Sequence, residues 1–268
     1  MKKILVCALV MGGLLAGCGD SAEEAPKPPE KMEILYNNAY GKLATGQAKE
    51  AAKDFDEVER QYPYSDWARR SVIMSGFSSY QGEDFEAAVA SFERYVKLYP
   101  DNESTPYAYY MIALSYYEQI SDVGRDQKMT EQALNALREV VRRFPDSEYA
   151  RDAKIKVDLT VDHLAGKEMA VGRYYLQRDD YLSAINRFKV VVENYQTTTH
   201  VAEALHRLVE CYLKLGIREE AQRYASVLGH NYPASLWYRD SYALMTSSEK
   251  TKTAENETES SWWDSLIP

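Results

Sequence analysis

The chain has 268 residues, of which 45% are hydrophobic and 27% are charged, and its formal net charge at pH 7 is -9. This hydrophobic fraction is typical of a folded protein, and the length is enough for one large domain or two small ones. The acidic balance argues against nucleic acid or an anionic lipid surface as a binding partner.

The N-terminus has the features of a bacterial lipoprotein signal over residues 1–17. Lys2 and Lys3 precede a short apolar run that ends in Leu15-Ala16-Gly17-Cys18 and is too short to span a bilayer as a mature helix. The last four residues resemble the lipobox, which implies cleavage before Cys18 and a covalent lipid on its sulfur. The alternative is an ordinary export signal that happens to contain a cysteine. Gly19, where an inner-membrane lipoprotein often has Asp, favours the periplasmic face of the outer membrane.

Residues 18–31 contain three prolines and several charges, so we predict a lipid anchor followed by a tether. Beyond Cys18, the mature chain has one further cysteine, Cys211. We therefore expect no internal disulfide, and packing alone must hold the fold together. The covalent lipid aside, nothing in the sequence points to a cofactor.

An internal repeat organises the rest of the chain. A small residue recurs every 37 positions at Ala39, Gly76 and Ala113, and Gly172 and Val209 are again 37 apart. A second marker is an alanine that lies twelve residues before a helix stop, usually proline: Ala51, Ala88, Ala133, Ala184 and Ala221. This pattern predicts an all-α, TPR-like α-solenoid of five helix-turn-helix repeats.

Two insertions interrupt the repeat in chain order. Three repeats fill 32–147, and the third carries eight extra residues around 121–130, which we predict to form a polar loop. The second insertion separates the third repeat from the fourth and adds fourteen residues, about four helical turns. We therefore predict that 147–178 is mostly one long helix. Two more repeats, a connecting helix and a capping helix over 234–245 make up 148–245.

The polar, acidic segment 246–268 has no periodicity and is predicted to be a disordered tail. Trp262 and Trp263 near its end are either a short docking motif or only an apolar end.

At the starts of helices, Asp66, Ser104 and Thr199 are predicted to be N-caps.

The same markers match the tetratricopeptide repeat, whose first helices line a concave groove. The resemblance places these residues in the N-terminal half of the groove, as a candidate site for an extended peptide: Tyr36, Tyr40, Arg70, Ile73, Phe77, Tyr80, Tyr107, Tyr110 and Tyr117. The C-terminal half would be charged, with Met169, Arg173, Gln177, Glu203, His206, Glu210 and Lys214. The alternative is that about half of the tyrosines only pack against neighbouring helices.

No catalytic constellation is evident. The histidines His163, His200, His206 and His230 have no metal-ligand spacing, and no phosphate-binding glycine loop or nucleophile elbow occurs. The sequence therefore predicts neither an enzyme nor a metal site.

Four segments are more specific than a generic repeat: Asp122–Gln127, Phe144–Tyr149, Gly172–Tyr175 and Ala184–Phe188. With the lipobox, they resemble the BamD (YfiO, ComL) family of outer-membrane β-barrel assembly lipoproteins. The resemblance implies a periplasmic scaffold of the BAM complex whose N-terminal repeats bind unfolded outer-membrane proteins. Its C-terminal repeats would dock the POTRA-bearing barrel subunit, alongside other assembly lipoproteins.

Asn186 and Arg187 match the family pattern for that docking contact. Arg187 follows Ala184 and precedes Phe188, so it is expected to point away from the core, either to a carboxylate of the partner or merely to solvent. A TPR lipoprotein that acts as a pilotin for a secretin or pilus is the alternative function. A cell-wall enzyme would need a catalytic domain for which the chain has no room.

Overall fold

The computed structural model describes residues 31–247, which form eleven helices and no strand. The helices are α1 (Met32–Ala44), α2 (Ala48–Gln61), α3 (Asp66–Gln81), α4 (Phe85–Leu98), α5 (Thr105–Tyr117), α6 (Lys128–Arg143), α7 (Glu148–Leu176), α8 (Tyr181–Asn194), α9 (Val201–Lys214), α10 (Arg218–Asn231) and α11 (236–247). From α1 to α10, each helix packs mainly against its neighbours in the chain, which confirms the predicted TPR-like solenoid of five helix pairs. Among these helices, none combines the length and apolar character needed to cross a membrane.

In three of the five pairs, the recurring small residue makes room for a phenylalanine of the second helix: Phe55, Phe92 and Phe188. Ala39 is fully buried in a cluster with Ala51 and Phe55. A Cβ atom added at Gly76 would lie 2.9 Å from Phe92 Cζ, and one added at Gly172 would lie 2.5 Å from Phe188 Cε1. The 37-residue marker therefore records the closest approach of the paired helices.

In the four helix pairs joined by a short turn, the turn contains one residue with left-handed backbone geometry. Gly46 and Gly216 adopt it with φ of 81° and 75°, and Glu83 and Asp179 adopt it with φ of 58°. These positions are again 37 apart within each half of the chain. A non-glycine residue in this geometry is uncommon, so the turn is held by the helices on either side of it.

The predicted N-caps are only partly right. Ser65, rather than Asp66, caps α3, and its Oγ accepts a hydrogen bond from Ala68 N at 3.0 Å. Ser104 occupies the N-cap position of α5 without a side-chain cap bond. Thr199 precedes the N-cap of α9 and instead donates from Oγ1 to Asp162 Oδ1 at 2.9 Å.

The predicted long helix and polar loop are both present. Helix α7 spans 29 residues, and the chain between α5 and α6 lies as a loop against it. Lys167 Nζ donates to Gly124 O at 3.1 Å, which fastens the loop to the middle of α7.

Helix α11 covers the last repeat, as predicted for a capping helix. Trp237 and Tyr238 pack against the cluster of Leu205 and Leu228, and Met245 is buried. The helix includes residues 246 and 247, so the start predicted for the tail was too early. The predicted lipidation site Cys18 and the remainder of the tail, with Trp262 and Trp263, lie outside the described residues.

Candidate functional site

An apolar cavity of about 500 Å³ opens between α1, α3 and α5. Four of the nine predicted groove residues line it together: Tyr40, Ile73, Phe77 and Tyr107. Tyr40 is 56% exposed, so the cavity is open at the rim formed by α1. The first helices of three successive repeats thus share one concave apolar surface.

Three lining residues were missed by the sequence analysis: Leu43, Ala44 and Met74. Leu43 and Ala44 lie three and four positions after Tyr40, which places them on the same face of α1. That helical spacing was the signal that could have found them. Burial raises the pKa of Tyr107 to about 12, so its hydroxyl stays neutral and the cavity has no charged group at this point.

Tyr36 and Arg70 belong to the packing beside the cavity. The Tyr36 ring lies edge-on to Phe55 and Trp67, with centroids 5.2 and 4.8 Å away. The Arg70 guanidinium lies 5.8 Å from the Trp67 ring centroid and is exposed. Tyr36 therefore holds α1 against its neighbours, and Arg70 presents an exposed charge on α3.

Tyr80, Tyr110 and Tyr117 contact charged side chains. The Tyr80 hydroxyl donates to Glu118 Oε1 at 3.4 Å. The Tyr110 hydroxyl donates to Asp152 Oδ2 on α7, which lowers the pKa of that carboxyl. Lys156 Nζ lies 5.3 Å from the Tyr117 ring centroid and 3.2 Å from Asp152 Oδ2. Tyr110 and Tyr117 thus tie α5 to the long helix, and Tyr80 ties α3 to the end of α5. None of the three lines the cavity.

The C-terminal half presents a polar pocket of about 360 Å³, lined by Arg173, Gln177, Glu210 and Lys214 among others. Arg173 Nη1 donates to both carboxylate oxygens of Glu203 at 3.0 Å, so the predicted charged surface is present.

Two of the residues predicted for that surface are buried instead. Met169 is 0% exposed beneath α8. His206 is 5% exposed, and its Nδ1 lies 2.8 Å from Ser241 Oγ on α11. Placing them in the groove was wrong, because the later helices cover this part of α7 and α9.

Arg187 is exposed on α8, as the sequence predicts, and Asn186 beside it is exposed too. Arg187 Nη1 forms an ion pair with Glu168 Oε2 on α7 at 3.2 Å. The arginine side chain is 45% exposed and the glutamate is 20% exposed. A guanidinium has five N–H donors, so this contact leaves several of them facing solvent.

Comparison with known proteins decides the family. The model of the YfiO family, described as an outer membrane lipoprotein, matches residues 28–228. The chain belongs to the YfiO family. It is 48% identical to the outer membrane protein assembly factor BamD of Caulobacter vibrioides, over 90% of this chain and 80% of that protein. It is 41% identical to that of Rickettsia prowazekii, over 91% of this chain and 97% of that protein.

Membership of the YfiO family confirms the predicted outer-membrane lipoprotein. Both relatives are named as assembly factors rather than as enzymes. Among solved structures, a thermophilic TPR protein of Thermus thermophilus is 17% identical with a TM-score of 0.36, covering 81% of this chain and 98% of that one. The roles of the groove residues, Asn186 and Arg187 stay predictions for this YfiO-family chain.

Proposed function

We propose that the chain is a lipid-anchored scaffold for the assembly of outer-membrane β-barrel proteins. The observation that carries the proposal is its 41–48% identity to assembly factors over nine-tenths of its length. The N-terminal half receives the incoming barrel protein, and the C-terminal half docks the POTRA-bearing subunit of the assembly complex. The relatives' names favour this function over that of a secretin pilotin.

The chemistry of the cavity suits an unfolded barrel strand. In such strands, apolar residues that will face lipid alternate with polar ones, so apolar side chains recur about every 6.8 Å along an extended chain. The cavity is apolar, has an open rim at Tyr40 and lies within the volume range of ordinary binding pockets. One or two side chains of a strand can enter it while the polar ones face solvent.

Peptide binding tests this role. We expect Tyr40→Ala to weaken binding of a peptide with a barrel strand's alternating pattern by about tenfold, because tyrosines are enriched among the few interface residues whose truncation costs more than about 1 kcal/mol. The measurement is fluorescence anisotropy with the full chain in detergent. A scrambled peptide that lacks the alternation controls for general stickiness.

Tyr64→Ala is the matched control variant, because Tyr64 is a fully exposed tyrosine that does not line the cavity. It should change the affinity less than twofold. Equal losses in the two variants, or equal binding of the scrambled peptide, would show that the cavity is not the binding site.

We place the docking of the POTRA-bearing subunit at Arg187. Glu168 Oε2 lies 3.2 Å from Arg187 Nη1 and holds the guanidinium in position. The remaining N–H groups of the guanidinium can bind a carboxylate of the partner in a bidentate geometry. Asn186 lies beside it and is also exposed. The contact differs from a solvated arginine in one testable respect, namely its effect on partner affinity.

Arg187→Glu should weaken binding of the POTRA-bearing subunit by about 2–5 kcal/mol, the usual loss when one member of a desolvated charge pair is removed. The protein's own stability should change by less than about 1 kcal/mol, because the pair with Glu168 is partly exposed. Calorimetric titration and thermal melting measure the two quantities.

Glu168→Gln separates the two possible roles of Arg187. It removes the internal ion pair but keeps the arginine, so most of the affinity should remain. If Glu168→Gln weakens binding as much as Arg187→Glu does, Arg187 acts only through its internal pair. A charge reversal on the partner should restore part of the affinity of Arg187→Glu.

A further inference from the structure

A second groove lies on the face of α5 opposite the apolar cavity. It has a volume of about 440 Å³ and is formed by α4, α5 and α6. Three of its residues on α5, Tyr109, Ile112 and Tyr116, point about 140–200° away from Tyr107 around the helix axis. We call it the outer groove, and no residue that lines the cavity takes part in it.

The floor of the outer groove is apolar, with Val96 and Ala136 partly exposed and Ile112 buried. Val96 of α4, Ile112 of α5 and Ala136 of α6 form its middle. Tyr109 and Tyr116 are seven residues apart, so the floor extends for about 10 Å along α5. This length equals two turns of a helix that presents apolar side chains at positions i, i+3 or i+4, and i+7.

The end of the outer groove at Tyr109 is positively charged. Lys97 lines this end and is exposed. The Arg143 guanidinium lies 5.1 Å from the Tyr109 ring centroid. Glu139 accepts hydrogen bonds from both Arg142 and Arg143, so its carboxylate is more than neutralised.

The opposite end, at Tyr116, is acidic and favours positive charge and hydrogen-bond donors. Glu93 lines this end. Burial of Tyr116 raises the pKa of its hydroxyl, and the negative charge of Glu93 raises that pKa further. Gln132 Oε1 is buried there without a hydrogen-bond partner among the described residues. Buried polar atoms are nearly always paired in folded proteins, so an incoming donor would complete this site.

We propose that the outer groove docks an amphipathic helix of a partner protein, with the acidic first turn at Tyr109 and the basic last turn at Tyr116. The two ends are complementary to such a helix in charge, and the floor is complementary in length. Acidic residues at the N-terminus and basic residues at the C-terminus also complement the helix's own macrodipole. The charge distribution that stabilises the partner's helix is therefore the same one that complements the two ends of the outer groove.

Two stapled helical peptides of identical composition test the polarity. The forward peptide has an acidic first turn, three apolar residues at i, i+3 and i+7, and a basic last turn; in the other, the two charged turns are exchanged. Stapling keeps both helical when free. With the full lipidated chain in detergent at low salt, we expect the forward peptide to bind about tenfold more tightly. The difference should shrink at 0.5 M salt.

Variants of the groove provide the decisive comparison. The double exchange Lys97→Glu with Glu93→Lys should invert the preference between the peptides. Ala136→Trp, or Ala136→Leu if the larger side chain prevents folding, should weaken both peptides at least tenfold by filling the floor. Tyr64→Ala, outside the groove, should leave both affinities unchanged, and circular dichroism checks each fold.

Three results would overturn the proposal. The first is equal affinity for the two peptides, and the second is an unchanged preference in the exchange variant. The third is self-association of the full chain that Ala136→Trp abolishes, with no peptide binding, because a second copy would then be the occupant.

Discussion

At the scale of single residues, glycine at position 172 is required by packing. A Cβ there would lie 2.5 Å from Phe188 Cε1, and Phe188 is fully buried and cannot move aside. We expect Gly172→Ala to lower the free energy of unfolding by about 1–3 kcal/mol, the typical cost of overpacking a core. Urea unfolding of the full chain measures it.

Gly41→Ala is the matched control, because Gly41 is also helical but its added Cβ would meet no atom within 4 Å. Alanine is the better helix former, so this change should stabilise the protein by about 0.5–1 kcal/mol. If both substitutions stabilise it, close approach of α7 and α8 is not what requires glycine at position 172.

At the scale of elements, α7 is where the inserted loop and the last repeats meet. Added to Gly166, a Cβ would lie 3.4 Å from Val123 of the loop and 3.3 Å from His200 before α9. Lys167 holds the loop through Gly124 O. Lys167→Ala should therefore speed amide exchange across 120–127 severalfold, while global stability falls by less than about 1 kcal/mol because the contact is exposed.

Hydrogen–deuterium exchange with mass spectrometry resolves this effect by segment. Lys154→Ala serves as the control, because Lys154 is an exposed lysine of the same helix far along α7 from the loop contact. Faster exchange at 120–127 in both variants, or in neither, would show that Lys167 does not secure the loop.

At the scale of the whole molecule, packed tyrosines predict loss of stability at alkaline pH. Burial is the first cause that raises the pKa of Tyr36, Tyr80, Tyr95, Tyr107, Tyr110, Tyr116, Tyr149 and Tyr195. Each of these hydroxyls ionises at a higher pH in the folded protein than in the unfolded chain. The folded state is therefore fully stabilised below the unfolded pKa of about 10 and loses stability as the pH rises further. Unfolding free energies measured from pH 9 to 12 should fall accordingly.

Tyr107 is expected to account for about 2 kcal/mol of that fall by pH 12, because its folded pKa is about 12. Tyr107→Phe removes this ionising hydroxyl, so it should show a correspondingly shallower loss of stability between pH 10 and 12. An unchanged alkaline slope in this variant would mean that Tyr107 ionises as freely in the folded protein as in the unfolded chain.

The repeat architecture was predictable from the sequence because its determinants are local. Small residues, alanines and helix stops recur at constant spacing, and the surplus residues between them located the loop and α7. Twelve residues after Ala184, the fourth repeat has Gln196 where the other repeats have proline. Tyr195 nevertheless ends α8 with φ of -127° and ψ of 43°, close to the φ of -133° and ψ of 50° of Tyr232 before Pro233. The repeat's geometry, and not proline alone, stops the second helices.

Which groove residues are open was decided only by the tertiary structure. Tyr40 and Tyr110 are both tyrosines on first helices, yet one borders an open cavity and the other donates to Asp152, 42 residues further along the chain. His206 has the register of a groove residue, but α11 covers it. Register determines the direction in which a side chain leaves its helix, whereas its exposure depends on helices that are distant in sequence and pack against that face.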